Sequence, residues 1–187
     1  MLAKNGHIIT VELLIEAGAD VKVNHNEALC TAARQGFYKT VELLIEAGAD
    51  IQANNNKSLK IAASSGYIRV VKLLIDAGAN VTVNNSVALR VAARHRYAKI
   101  VELLIEAGAD VNTNHSEALR VAVDTEQDEY GFHEKIVKLL IKAGADVIDN
   151  HNEALKVATR HGHKRIVKLL IEADADVTAL AEDDSQH

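Results

Sequence analysis

The sequence predicts an all-α solenoid of stacked helix pairs, and three observations support this fold class. A ten-residue segment, Val-Glu-Leu-Leu-Ile-Glu-Ala-Gly-Ala-Asp, begins at Val11 and returns five more times with small changes. Apolar residues at helical spacing surround every copy, and the chain contains no proline. A period near 30 residues is typical of stacked units that cannot bury their apolar faces alone. The later copies begin 30 residues apart, except for one step of 36, at Val41, Val71, Val101, Val137 and Val167.

The first element of each repeat is a short alanine-rich helix, here called helix A. In the second unit, helix A is represented by Glu27–Ala33, which carries apolar side chains at helical spacing. The residue before this helix is always Asn or Ser, which are good N-caps. We therefore expect these side chains to accept hydrogen bonds from the first turn of their own helix. They are Asn26, Asn56, Ser86, Ser116 and Asn152.

The second element, helix B, is predicted from about Tyr38 to Ala47. It places apolar side chains on one face, and Gly48 stands where a helix commonly ends in a left-handed residue. We call a set of equivalent positions in successive repeats a column. The columns that hold Leu, Ile, Val or Ala in both helices are predicted to form contacts between repeats. An Asn column precedes helix A, and we expect its amides to bind backbone groups of the turn. This column is Asn24, Asn54, Asn84, Asn114 and Asn150.

These elements resemble the ankyrin repeat. The pattern is Ala-Leu-x-x-Ala-Ala-x-x-Gly, followed by Val-x-Leu-Leu-Ile-x-Ala-Gly-Ala-Asp-Val, and it extends from Leu2 to about Val177. The usual ankyrin period is about 33 residues, with Thr-Pro-Leu-His at the start of helix A. Here three residues are missing after Asp50, so the family's projecting β-hairpin should be shortened to a tight turn. The shortened form looks like the ankyrin arrays of large DNA viruses of amoebae.

The repeats are predicted to form a single domain over residues 1–178, with an acidic, disordered tail at 179–187. The units are about 1–23, 24–53, 54–83, 84–113, 114–149 and 150–178, giving five complete helix pairs after an N-terminal half repeat. The first unit contains only the end of a helix A, so Val11–Ile15 should lack part of its cover. Either the chain is a fragment of a longer array or this end is frayed.

The fifth unit contains an insertion of six residues between its two helices. The segment Asp124–Phe132 carries four acidic residues and is predicted to be a surface loop. Extra length in such a loop has a small entropic cost. We therefore expect deletion of Thr125–Tyr130 to leave the neighbouring repeats intact, and to strengthen binding if the partner is acidic.

Composition limits the classes of function. The formal net charge of −5 gives no general attraction to nucleic acid or to anionic membranes. No apolar run approaches the length of a membrane span, and the N-terminus has no signal-peptide pattern. The single Cys30 favours a reducing compartment. We expect a cytoplasmic protein, in the host cytoplasm if it is viral, and a monomer.

Motifs for catalysis or metal binding are not found. His161-x-His163 is the nearest pair of histidines, but it has no carboxylate or cysteine in step with it. His115 and His151 occupy equivalent turns in neighbouring units, which lie about 10 Å apart in a helical stack, too far for both to bind one metal ion without a bridging atom. Cys30 has His25 nearby, but no third group to orient a base. We expect no enzymatic activity, cofactor, metal or small-molecule substrate.

Basic residues follow one face of helix A. One position holds Cys30, Lys60, Arg90, Arg120 and Lys156, and the position one turn later is also mostly basic. In the ankyrin family helix A lines the concave surface, and the two residues after Ala-Ala contact partners. The resemblance implies partner contacts from Arg34, Gln35, Ser64, Ser65, Arg94, His95, Arg160 and His161. The basic position adds Lys60, Arg90, Arg120 and Lys156, and we call the whole set the helix A ladder.

Two interpretations of the ladder stay open. It would favour an acidic protein partner through steering and through bidentate Arg–carboxylate contacts. Alternatively it is a solvated face, since Glu117 and Glu153 precede Arg120 and Lys156 by three residues and would neutralise them. Nucleic acid is disfavoured by the acidic residues of helix B. The predicted function is non-catalytic protein binding through helix A and the inter-repeat turns. The competing class is a structural or self-associating scaffold, or a substrate-recruiting part of a longer protein.

Overall fold

The computed structural model describes residues 2–124 and 132–174, and these ranges contain eleven helices and no strand. No helix in the described ranges is both long and apolar enough to cross a bilayer. The insertion residues Thr125–Gly131 and the predicted tail at 179–187 lie outside the described part. The helices are α1 (Leu2–Glu16), α2 (Val23–Gln35), α3 (Tyr38–Glu46), α4 (Ala53–Ser65), α5 (Ile68–Asp76), α6 (Val83–Arg94), α7 (Ala98–Glu106), α8 (Thr113–Val123), α9 (Phe132–Lys142), α10 (Asp149–Arg160) and α11 (Lys164–Glu172).

The chain divides into two compact units, and the first covers Met1–Ala88. Its helices form two layers. Helices A (α2 and α4) pack on each other, while α1, α3 and α5 pack side by side as helices B. Leu29, Leu44, Leu59 and Leu74 are nearly or fully buried between the layers. The apolar columns read from the sequence therefore form the contacts between repeats, as predicted.

The second unit covers Leu89–His187 and repeats this arrangement. Helices α8 and α10 pack against each other, and α7, α9 and α11 form the adjoining layer. Leu104, Leu119, Leu140, Leu155 and Leu170 are fully buried. The fold class predicted from the sequence, a helical-repeat fold with shortened fingers, is confirmed.

The tight turn that replaces the hairpin is a single turn of left-handed helix. Asn54, Asn55 and Asn56 have φ values of 50°, 57° and 55°, with ψ between 42° and 51°. The same geometry recurs at residues 114–116 and 150–152, and the first and third residues of the turn have positive φ at 24, 26, 84 and 86. Left-handed backbone costs most L-residues about 1–2 kcal/mol each, but Asn tolerates it better. This conformational demand explains the Asn column.

The third residue of the left-handed turn is buried, and its side chain closes the repeat. The Oδ1 of Asn26 accepts from the backbone N–H of Asp50 at 2.8 Å, and that of Asn56 accepts from Asn80 at 3.0 Å. We call this contact the repeat clasp, because it joins the turn before helix A to the linker after helix B. The sequence had predicted that these residues cap their own helix. That prediction was wrong for Asn26 and Asn56, whose amide oxygens reach 24 residues along the chain.

The prediction for the first residue of the turn was also wrong. All five side chains of that column are exposed. Asn114 donates from Nδ2 to the Oε2 of Glu117, a side chain of helix A, at 3.2 Å. In the repeat where Ser116 replaces the longer Asn, Asn112 makes the equivalent bond, since its Oδ1 accepts from the N–H of Asp146 at 2.8 Å. The role of the first column is backbone conformation.

The N-terminal half repeat is one continuous helix. The sequence predicted the end of a helix A followed by a separate helix around Val11–Ile15, whereas α1 runs unbroken from Leu2 to Glu16. It takes the place of a helix B beside α3. Leu13 and Leu14 are 60% and 54% exposed, so the expected lack of cover at this helix is confirmed.

Candidate protein-binding surface

In the first unit, the ladder residues lie along α2 and α4 with unequal exposure. Arg34, Gln35 and Lys60 are exposed, whereas Ser64 and Ser65 are half-buried. The hydroxyl of Ser64 donates to the carbonyl oxygen of Ile61 in its own helix at 2.9 Å. Arg34 makes no ion pair among the described residues. The first unit therefore offers basic side chains at the solvent face of helix A, with one predicted contact turned towards the backbone.

In the second unit, two ladder arginines share one carboxylate. Both oxygens of Glu117 accept from Nη1 of Arg90, at 2.8 and 2.9 Å, and Nη2 of Arg120 lies 3.5 Å from the same carboxylate. The Glu117 side chain is only 14% exposed. Burial alone would raise its pKa, but hydrogen bonds from Arg90 and Asn114 and the two guanidinium charges outweigh burial and lower the pKa. Glu117 is thus ionised at neutral pH and cancels one of the two positive charges.

The ends of helices A in the second unit are more open. Arg94 and His95 are exposed, Arg94 makes no ion pair among the described residues, and His95 stacks against Tyr97 with 6.0 Å between ring centres. Arg160 is exposed and Lys156 is half-buried. His161 stacks on His163 at 5.7 Å, and its Nε2 lies 3.5 Å from Asp124. The rings of His95 and His161 are therefore already in contact with other side chains of this unit.

The structure distinguishes two parts of the ladder. Arg90 and Arg120 are partly neutralised by Glu117, as the solvated-face interpretation anticipated for Arg120. Arg34 and Arg94, near the C-terminal ends of their helices A, are exposed and make no ion pair among the described residues. Whether these residues bind a partner stays a prediction.

Cys30 does not belong to the exposed face. It is 3% exposed, and burial raises the pKa of its thiol, so it is held as a neutral, inaccessible group. In the described ranges, no three His, Cys, Asp or Glu side chains come together as metal ligands would.

The left-handed turns add contacts that the sequence did not reveal. In the second unit, Nδ1 of His115 lies 3.2 Å from the carboxylate of Asp149 at the start of the next turn. Asn112 also donates to the carbonyl oxygen of Gly144 at 2.9 Å. Consecutive turns are therefore fixed relative to each other, which gives the edge of this unit a defined shape. The recurring Asn-x-(Asn/Ser) triplet was the available signal, but its partners lie too far along the chain to be read from it.

Comparison with known proteins agrees with this architecture. A model of ankyrin repeats matches the chain in three copies, over residues 1–55, 52–115 and 118–181. No relative with significant similarity was found among curated proteins. Ankyrin repeats generally serve as protein–protein interaction modules. Because the match covers most of the sequence and the helix pairs follow the repeat pattern, the chain belongs to the ankyrin-repeat family.

Proposed function

We propose that the chain binds another protein through the solvent face of helix A and the adjoining left-handed turns, without catalysis. The observation that carries this proposal is the exposure of Arg34 and Arg94 at equivalent ends of helix A, without ion-pair partners among the described residues. The backbone of helix A is already ordered by repeat packing, so only the side chains lose conformational freedom when these arginines meet carboxylates, and the planar guanidinium can bind a carboxylate through two hydrogen bonds. The partner we propose presents an acidic surface, and the site of action we propose is the cytoplasm.

Charge reversal at the helix ends tests this proposal. The variant Arg34→Glu/Arg94→Glu/Arg160→Glu should retain its helical content, because all three side chains are exposed. It should capture the acidic partner from a lysate at least about tenfold less well, and the loss should shrink as salt is raised. The matched control reverses three exposed lysines of helix B: Lys72→Glu/Lys138→Glu/Lys168→Glu. Equal loss in both variants would reject helix A as the binding face.

Self-association is the second candidate function, and the exposed leucines of α1 favour it. Leu13 and Leu14 leave apolar surface open on the first repeat. Sedimentation at several loading concentrations separates the two candidates. A mass that does not change with concentration counts against self-association, and growth of the mass with concentration supports it.

A further inference from the structure

An apolar groove opens in the first repeat between α1, α2 and α3. It has a volume of about 400 Å³. Val11, Leu14 and Ile15 of α1 form one wall, while Ala28 and Ala32 of α2 and Leu44 of α3 form the other walls. Leu14 is 54% exposed and Ala28 is also exposed. The groove is therefore a concave apolar surface that solvent reaches in this structure.

The next repeat shows what fills a groove of this kind. Ser58 of α4 is equivalent to Ala28, 30 residues earlier, and it is only 2% exposed. Leu44 and Leu74, which are equivalent to Leu14 in the next two repeats, are 3% and 0% exposed. The helix A of the preceding repeat, α2, packs on α4. An α-helix with small contact residues is thus the element that fits against this type of surface.

The negative charge of Glu27, at the edge of the groove, indicates that a helix bound there carries a basic side chain at one position. Glu117 of α8 is equivalent to Glu27, and it accepts two hydrogen bonds from Arg90, a residue of the preceding helix A. Glu27 lines the open groove and is exposed, with the hydroxyl of Thr31 3.5 Å away. A helix seated in the groove in the register of the repeats would bring its own basic residue to this carboxylate.

We propose that this groove binds one amphipathic helix of another protein, with a contact face of the pattern Ala-Leu-Arg/Lys-x-Ala-Ala. The alanines approach α2 closely, the leucine lies against the leucines of α1 and α3, and the basic residue pairs with Glu27. The site is separate from the helix A ladder, so it does not depend on binding through the ladder, but it shares Leu14 with the surface considered above for self-association.

A peptide with the sequence of residues 84–96, blocked at both ends, is the probe, since it carries Arg90 in the required register. Such a short helix is marginally stable alone, so binding is measured by NMR titration of the labelled chain up to millimolar peptide. Saturable shifts of residues around the groove are expected. An absence of shifts at these concentrations overturns the proposal.

Two adjacent leucines give a matched pair of variants. Leu14→Glu places a charge in the groove and should weaken peptide binding at least about tenfold. Leu13→Glu changes a neighbour that is 60% exposed and does not line the groove, so affinity should change less than about twofold. Equal effects of the two changes would show that the peptide binds elsewhere.

A charge exchange tests the register. Glu27→Lys should weaken the affinity for the peptide by about two- to fivefold, the range of a partly exposed ion pair. A peptide with Arg90→Glu should recover the lost affinity. Failure of this recovery contradicts the proposed pairing. If the chain alone forms oligomers that Leu14→Glu abolishes and Leu13→Glu does not, the occupant is a second copy and the proposal of a foreign helix is rejected.

Discussion

The imidazole Nδ1 of His133 lies 2.9 Å from the carbonyl oxygen of Ala122, inside the repeat that carries the insertion. Because a carbonyl oxygen only accepts, Nδ1 carries the proton. In the other complete repeats a backbone N–H at the position of His133 donates to the equivalent alanine, and so closes the end of helix A. Those pairs are Phe37 with Ala32, Tyr67 with Ala62, Tyr97 with Ala92 and His163 with Ala158. The side chain of His133 thus makes, across the insertion, a bond that the backbone makes elsewhere.

Replacing His133 with Phe should lower the free energy of unfolding by about 1–3 kcal/mol, since an aromatic ring is kept but the carbonyl of Ala122 loses this donor. Denaturant unfolding measures the loss. His163→Phe is the control, because there the backbone N–H of residue 163 bonds to Ala158 and is unchanged. Equal losses at 133 and 163 would contradict a special role for the imidazole.

Glycine substitutions at positions 54 and 56 should separate backbone conformation from the repeat clasp. Both residues are left-handed, a conformation that glycine adopts without strain. Asn54→Gly should change stability by no more than about 0.5 kcal/mol. Asn56→Gly also removes the acceptor for the N–H of Asn80, and should cost about 1–3 kcal/mol in thermal or denaturant unfolding. A larger loss at 54 than at 56 would refute the clasp.

The Glu117 carboxylate should make stability depend on pH. Its folded-state pKa lies below the ordinary value of 4.5, so its stabilising contribution is complete above that value and is lost as pH falls through the folded-state pKa. Glu117→Gln should cost about 1.5–3 kcal/mol at neutral pH. Unfolding curves from pH 7 to pH 3 should show the difference from the wild type shrinking in acid. Glu102→Gln, which breaks an exposed pair with Lys99, should have little effect.

Thr40→Val should stabilise the first unit. The Thr40 side chain is 6% exposed, and its buried hydroxyl has no hydrogen-bond partner among the described residues. The equivalent residues are buried and apolar, for example Val70 and Ile100. Removing the unsatisfied hydroxyl should add about 1–3 kcal/mol. A lower melting temperature than that of the wild type would show that the hydroxyl does find a partner.

Cavity-forming changes should differ along the chain. Leu104 is fully buried, so Leu104→Ala should cost about 2–5 kcal/mol through lost burial and an incompletely filled cavity. Leu14 is 54% exposed and has less burial to lose, so Leu14→Ala should cost clearly less. Calorimetry of both variants checks this order. Equal costs would mean that the first repeat is better covered in solution than its exposed surface indicates.

The sequence by itself determined the repeat, the helix pairs, the apolar columns and the family. These depend on local periodicity, and the same side-chain pattern recurs so often that chance agreement is excluded. One of the two interpretations of the ladder also paired Glu117 with Arg120, because residues three apart on a helix lie on the same face. The exposed leucines of α1 followed in the same way from the incomplete first repeat.

The tertiary structure alone decided the contacts between residues far apart in the chain. The side chain of Asn26 accepts a hydrogen bond from Asp50, and that of Glu117 accepts from Arg90. The imidazole of His133 bonds to the carbonyl of Ala122, 11 residues earlier. The pattern of residue types permitted several partners for each of these groups. Packing within and between the folded repeats selected one of them, because hydrogen bonds form only within about 3 Å. The left-handed turn arises in the same way, since three missing residues leave the chain no room for a hairpin and only a tight turn connects the stacked helices.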